Sequence, residues 1–331
     1  WNEEGAARQS LWARAATRNA AAELAKRINE AAVLNPINLI ALALLATPKH
    51  TADEHALLRM IEHYQALARE APYAPTTIAC GLAAQPIVAY AERLAVVERF
   101  ADPLGDLIRV CEEQAPLLAY FRNNVLHLFA LPAVLACLLS HNRRLDGARV
   151  AKAVSGICAL MRAELFLRWP LDELATATEE VIGVLVRRGL LGRSNVSGML
   201  VAPEPISQEF AELHLLGETI RPLLERHFLT LSLLQRHGTG QLTRQALENH
   251  CHLLAQRLSL LYQFNTPEFP EKATFSAFIA NLIEAEFLRE DDHGLLHFDE
   301  RLMTPLAHSE LVLSGEARQA IRRITGAGVA S

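Results

Sequence analysis

Two stretches of this 331-residue chain carry residue types that could move protons or bind polar groups. In the first, His141-Asn142-Arg143-Arg144-Leu145-Asp146 sets a histidine ahead of an aspartate, as a general base and its orienting carboxylate would be. The chain has 13 histidines. With Asp at roughly one position in twenty, about one such match arises by chance. The stretch also falls at a turn before a helix, where Asp146 has an ordinary N-cap role, so neither residue is assigned to catalysis. In the second, Tyr120, Asn123, Asn124 and His127 lie within about 100° of arc on one helix face, with Arg122 on the opposite side. Their neighbours are Leu, Phe, Val and Ala, so such a face is costly to bury without partners. It reads as a polar network fixing this helix, or as the docking face for another domain.

Other polar residues read as structural. Glu164 and Arg168 are four apart on a helix and are expected to pair. Arg257, on an otherwise apolar helix, could anchor Glu268 in the loop beyond. His250-Cys251-His252 mimics a metal site only in composition, because adjacent helical residues point apart. No metal ligands are assigned. The five cysteines are scattered without C-x-x-C spacing and read as free, mostly buried thiols of a reducing compartment.

The elements that must hold these residues are helical. Hydrophobic residues make up 51% of the chain and aromatics 6%, and this Leu- and Ala-rich balance favours helix packed on helix. The net charge is −5, which argues against a nucleic-acid partner. The opening at Trp1, without an initiator Met, is expected of a piece of a longer protein. The longest apolar stretch, Val125 to Leu139, is interrupted by His127 and Pro132. It is shorter than the roughly 20 residues needed to span a bilayer, so no transmembrane helix is expected.

A threefold pattern organises the chain. One copy has a helix from Asn35-Pro36 through Ala46, then a helix capped by Thr51 with Glu54 and running to about Glu70. A third helix covers about Pro86 to Glu98, followed by Arg99-Phe100, a turn at 102–105, and Leu107 to Val110. The second copy places helices at about Pro116–Ser140, Asp146–Phe166 and from Pro170 to Gly189, with Leu190-Leu191 and Met199-Leu200-Val201 flanking a loop. The third places helices at about Glu218–Arg236, from Thr243, and at Thr274–Glu286, then a hairpin turning at 291–294. The middle helices recur at a spacing of roughly 95 residues. Three helices and a hairpin make a winged-helix-like unit. The expected organisation is mainly α: a connecting helix over 1–34, then units at 35–113, 114–204 and 205–331, the last with a C-terminal tail. Asp172-Glu173 and Glu179-Glu180 crowd one third helix, so the units read as protein-packing modules and not DNA readers.

Three longer motifs add a family resemblance. They are Tyr120-Phe121-Arg122-Asn123-Asn124-Val125-Leu126-His127 with Leu131-Pro132; Ala163-Glu164-Leu165-Phe166-Leu167-Arg168-Trp169 with Leu171 to Leu174; and Ala255-Gln256-Arg257-Leu258-Ser259-Leu260-Leu261 with Asn265 to Phe269 and Lys272. In this order, with Asn35-Pro36-Ile37-Asn38-Leu39 before them, they resemble the C-terminal region of bacterial membrane-bound sn-glycerol-3-phosphate acyltransferase over essentially the whole chain.

The resemblance implies transfer of an acyl group from acyl-CoA or acyl-carrier protein to glycerol 3-phosphate, giving lysophosphatidic acid, with no cofactor beyond that donor. It places the catalytic His-x-x-x-x-Asp in a preceding α/β domain, outside this chain. Phe269-Pro270-Glu271 imitates that domain's Phe-Pro-Glu-Gly motif, but Lys272 stands in place of the Gly. The expected role is a non-catalytic support for the catalytic domain, with the Tyr120–His127 face at a domain interface or donor groove. The implied partners are that domain, the acyl donor and a membrane surface, with no nucleic acid. The implied location is peripheral, on the cytoplasmic face of the bacterial inner membrane. A regulatory module that binds another protein through its winged-helix units is the competing class.

Overall fold

The computed structural model describes residues 3–194, 198–262 and 269–326. A long helix, α1 (Glu3–Glu30), leads into α2 (Pro36–Leu45), β1 (Thr51–Asp53), α3 (Glu54–Glu70), α4 (Ala84–Arg93), β2 (Val97–Phe100) and β3 (Leu107–Val110). The three strands form an antiparallel sheet in the order β1-β3-β2, with Ile108 opposite both Ala52 and Arg99. The same order of elements then recurs as α5 (Ala115–His141), β4 (Arg144–Leu145), α6 (Gly147–Leu165), α7 (Leu171–Arg187), β5 (Gly192–Arg193) and β6 (Leu200–Val201), with sheet order β4-β6-β5.

After α8 (Gln208–Glu218) comes a third set: α9 (Arg221–His237), α10 (Arg244–Leu261), α11 (Lys272–Glu284), β7 (Arg289–Glu290) and β8 (Leu296–His297). Here the strand before the second helix shrinks to one bridge, Thr243 to Leu295. Two further helices, α12 (Glu300–Ser309) and α13 (Gly315–Thr325), complete the described chain. The protein is mainly α, with small antiparallel sheets.

Local chemistry sets these boundaries. Asn35 and Asn38 exchange side-chain bonds with each other's backbone N–H at 3.0 and 2.9 Å, and Pro36 opens α2. The expected Thr51–Glu54 capping box does not form. Thr51 instead starts β1, and Asp53 caps α3 by accepting from the N–H groups of His55 and Ala56. Glu54 is drawn away by Arg99, whose guanidinium also holds Glu92 and Asp106. Helix α4 stops at Arg93, short of the expected Glu98, because Val97 begins β2 and pairs with Val110. Asp146 caps α6 as read from sequence, and Thr243, where a helix start is expected, caps α10.

The core centres on α5, which packs against α2, α6, α7 and α8. By length and composition this helix could cross a bilayer, contrary to the sequence expectation: the apolar span is Glu112–His141, with mean hydropathy 1.6. Within the fold, 83% of its most apolar window is buried. It is a core helix surrounded by other helices. Tyr64 of α3 stands edge-on to Phe129 of α5 at 4.9 Å, and its hydroxyl meets Thr219 Oγ1 at 2.6 Å. A polar tie joins the first set to the later ones. Arg188 donates to His63 Nδ1 at 3.0 Å, so His63 Nε2–H donates to Glu212 of α8 at 2.8 Å, and Arg59 grips the same carboxylate.

Candidate functional site

The polar face of α5 opens onto a cavity of about 520 Å³ between the end of α1, the start of α2 and the end of α6. Its polar lining is Asn29, Asn35, Asn38, Asn123, Asn124, His127 and Glu164; Ile28, Val33, Phe121 and Phe166 are among its apolar walls. Three of the four residues singled out on the α5 face are therefore gathered at one cavity, while Tyr120 lies outside its lining, 63% exposed and edge-on to Phe121.

His127 is buried, and burial lowers its pKa to about 4, against the raising effect of its bond to Asn29. The imidazole is therefore neutral near pH 7, and Nε2–H donates to the Asn29 carbonyl at 3.1 Å. The Asn29 side chain in turn donates to the Leu165 carbonyl at 2.8 Å, and Asn38 donates to the Phe121 carbonyl at 2.8 Å. These bonds lock α1, α2 and α6 onto α5 and shape the cavity. Arg122 does not point away as its helical position implied: it is buried, and its guanidinium turns back to donate to Asn123 Oδ1 at 3.0 Å. Asn124 is exposed and makes no side-chain hydrogen bond among the described residues.

Glu164 joins this wall, but not with its expected partner. Helix α6 ends at Leu165 and Phe166 adopts a left-handed φ of 47°, so Arg168 is carried off the helix and loses i,i+4 geometry. Arg168 instead donates to the Tyr73 carbonyl at 2.8 Å and lies 3.7 Å from Glu30. Glu164 is gripped from behind by Arg226 and accepts from His227 Nε2 at 2.7 Å. Burial pulls the Glu164 carboxyl upward, but the charge of Arg226 and the bonds from both partners outweigh it and hold the pKa at about 2. Burial lowers the pKa of His227, whose ring lies flat against Phe278. The sequence reading does not reach Arg226 and His227, although two adjacent polar residues inside the Leu-rich run of α9 are the available signal. Arg257 is exposed, and its expected partner Glu268 lies outside the described residues.

The His141–Asp146 pair forms no dyad. Asp146 Oδ1 accepts from the backbone N–H of Arg149 at 2.8 Å, and His141 sits edge-on to His214 with centroids 6.3 Å apart. Burial and the nearby charges of His214, Arg221 and Arg318 lower the His141 pKa to about 4. The His250-Cys251-His252 run also divides: His250 stacks near His237, Cys251 is buried against Thr230, and His252 meets the Pro270 carbonyl at 2.6 Å.

The fold thus defines a mainly helical region with a cavity lined by amides, a neutral imidazole and the paired carboxylate of Glu164. Residues 1–291 match the family described as glycerol-3-phosphate acyltransferase C-terminal region, and the chain belongs to that family. It is 36% identical over 315 residues to the glycerol-3-phosphate acyltransferase of Pseudomonas paraeruginosa (strain DSM 24068 / PA7), covering 95% of this chain and 37% of that protein. It is 38% identical over 316 residues to the enzyme of the same name from Xylella fastidiosa (strain M12), with the same coverage. The chain spans about 37% of the length of these relatives.

Proposed function

We propose that this chain is the non-catalytic C-terminal part of an enzyme that transfers an acyl group from acyl-CoA or acyl-carrier protein to sn-glycerol 3-phosphate. The catalytic base and its carboxylate belong to the part of the polypeptide preceding this chain. The observation carrying this reading is the fate of the one His-x-x-x-x-Asp match: Asp146 is committed to capping its own helix and His141 faces His214. A base needs an orienting partner within hydrogen-bond reach.

The recurring order of helix, strand, two helices and hairpin supports reading the chain as three winged-helix-like units that pack on one another and on the catalytic part. Apart from the acyl donor no cofactor is needed. The whole protein works peripherally at the cytoplasmic face of the bacterial inner membrane, where acyl chains and phospholipid product meet. Ala at both His141 and Asp146 of the whole enzyme is expected to leave kcat nearly unchanged, and the isolated chain to show no turnover. A collapse of kcat in a stably folded double variant, or turnover by the isolated chain, would overturn the proposal.

A further inference from the structure

The cavity beneath α5 is continuous with an exposed aliphatic strip. Leu24 and Ile28 are one helical turn apart on α1 and are 60% and 62% exposed. Ile28 and Val33 both line the cavity, and Val33 forms a parallel bridge with Ile78. Val33 and Ile78 are 54% and 59% exposed. Ile28 and Val33 thus share the cavity rim, with Leu24 one turn along α1 and Ile78 opposite Val33 in the bridge, whereas isolated exposed aliphatics are ordinary.

The backbone beside this strip is half used. Ile78 donates to the Ala32 carbonyl at 3.0 Å and accepts from Leu34 N–H at 2.9 Å, which satisfies one edge of the bridge. The N–H and C=O of Val33 take no partner among the described residues and form the open edge. An open edge with adjacent apolar side chains is the platform on which an extended segment adds as a strand. Asn124, an unengaged amide across the cavity, offers a donor and an acceptor to a passing peptide unit.

Charge narrows the occupant. Among the described residues no Lys or Arg lines the cavity, and the charged residue that does, Glu164, is already paired with Arg226. A phosphate or the nucleotide of an acyl donor would need cations there. A neutral chain of amides flanked by apolar side chains fits.

We infer that this cleft holds an extended, uncharged segment from the preceding part of the same polypeptide, pairing with Val33 and seating apolar side chains on Leu24, Ile28 and Ile78. This rests on the reading that the chain is the C-terminal part of a longer enzyme, as the 37% coverage of its relatives supports. The contact lets a part joined through α1 return along that helix and press on the wall built by His127 and Glu164.

The test places a photo-crosslinking amino acid at Ile28, and separately at Ile78, in the full-length protein, with Leu253 on α10 as a remote exposed control. Mass spectrometry is expected to find both positions joined to one common peptide preceding Trp1, with no such product from Leu253. Asn124→Ala is expected to lower the yield severalfold. Products confined to residues 1–331, products with lipid, acyl donor or another protein, or no product would each overturn the inference. None of these outcomes bears on the rate of the His141 and Asp146 double variant, so the two readings fail separately.

Discussion

His227 donates to Glu164 at 2.7 Å while its ring lies stacked on Phe278, with centroids 3.9 Å apart. A neutral imidazole with one nitrogen protonated satisfies this geometry, and its Nδ1 has no hydrogen-bond partner among the described residues. The pair fixes the last turn of α6 to α9, so the wall of the α5 cavity is set from behind by residues distant in sequence.

Glu164 therefore anchors α6 to α9. Removing one partner of a buried ion pair leaves the other uncompensated, at a cost of about 3–5 kcal/mol. Glu164→Ala is expected to lower Tm by several degrees, while Arg168→Ala, whose side chain is bound elsewhere, costs less. The folded carboxyl sits at about 2 against an ordinary 4.5, so its contribution is complete above the ordinary value and lost as pH falls toward 2. Thermal scans between pH 3 and 6 should show wild type losing stability toward acid more steeply than Glu164→Ala; parallel curves would refute the assignment.

Glu225 carries the opposite sign. It is buried, and burial raises its pKa to about 8, opposed by Arg221 and reinforced by Glu218. Its nearest ion partner, Arg221 Nε, is 3.4 Å away, and Arg221 also holds Glu218 at 2.9 Å. A carboxyl that binds its proton more tightly when folded costs stability as pH rises from its ordinary 4.5 toward 8. Glu225→Gln should therefore raise Tm more at pH 8 than at pH 5. An equal shift at both would show that Glu225 is ionised throughout.

Asp146 offers a smaller test of its role as a cap. Loss of an N-cap costs about 1 kcal/mol, and Asn replaces Asp at such positions at little cost. Asp146→Ala is expected to lower Tm modestly and Asp146→Asn hardly at all. A loss in both would point to a role for the negative charge.

The parts of this fold legible in sequence are those written locally. The caps at Asn35, Asp146 and Thr243 act on N–H groups three residues on, and the polar arc on α5 follows from helical periodicity alone. The strands before the second helices were not legible, because a strand of two or three residues such as Arg144-Leu145 leaves no alternation to read. Thr51 has the spacing to Glu54 of a capping box, and only the distant Arg99, which takes Glu54, decides otherwise. Glu164 and Arg168 have the spacing of a helical pair for the same local reason, but a left-handed Phe166 ends the helix and two residues of α9 take the carboxylate. Of the cavity, the α5 face could be read from the sequence. The wall opposite could not, since Asn29 reaches it through backbone carbonyls of α6 that no side-chain pattern encodes.

A close helix crossing yields the last prediction. Helix α8 lies against α5 at Gly217, whose carbonyl accepts a weak bond from the Cys137 thiol at 3.3 Å. A Cβ at this position would fall 3.0 Å from Cys137 Sγ and 3.2 Å from its backbone nitrogen. The sulfur could be trimmed away, but the nitrogen belongs to the buried spine of α5 and cannot yield without moving the helix. Overpacking of this kind costs about 1–3 kcal/mol. Gly217→Ala should therefore lower Tm, and Gly217→Val should lower it further. Adding Cys137→Ala should recover only part of the loss, since the backbone contact persists. Full recovery would mean that sulfur alone sets the spacing of the two helices.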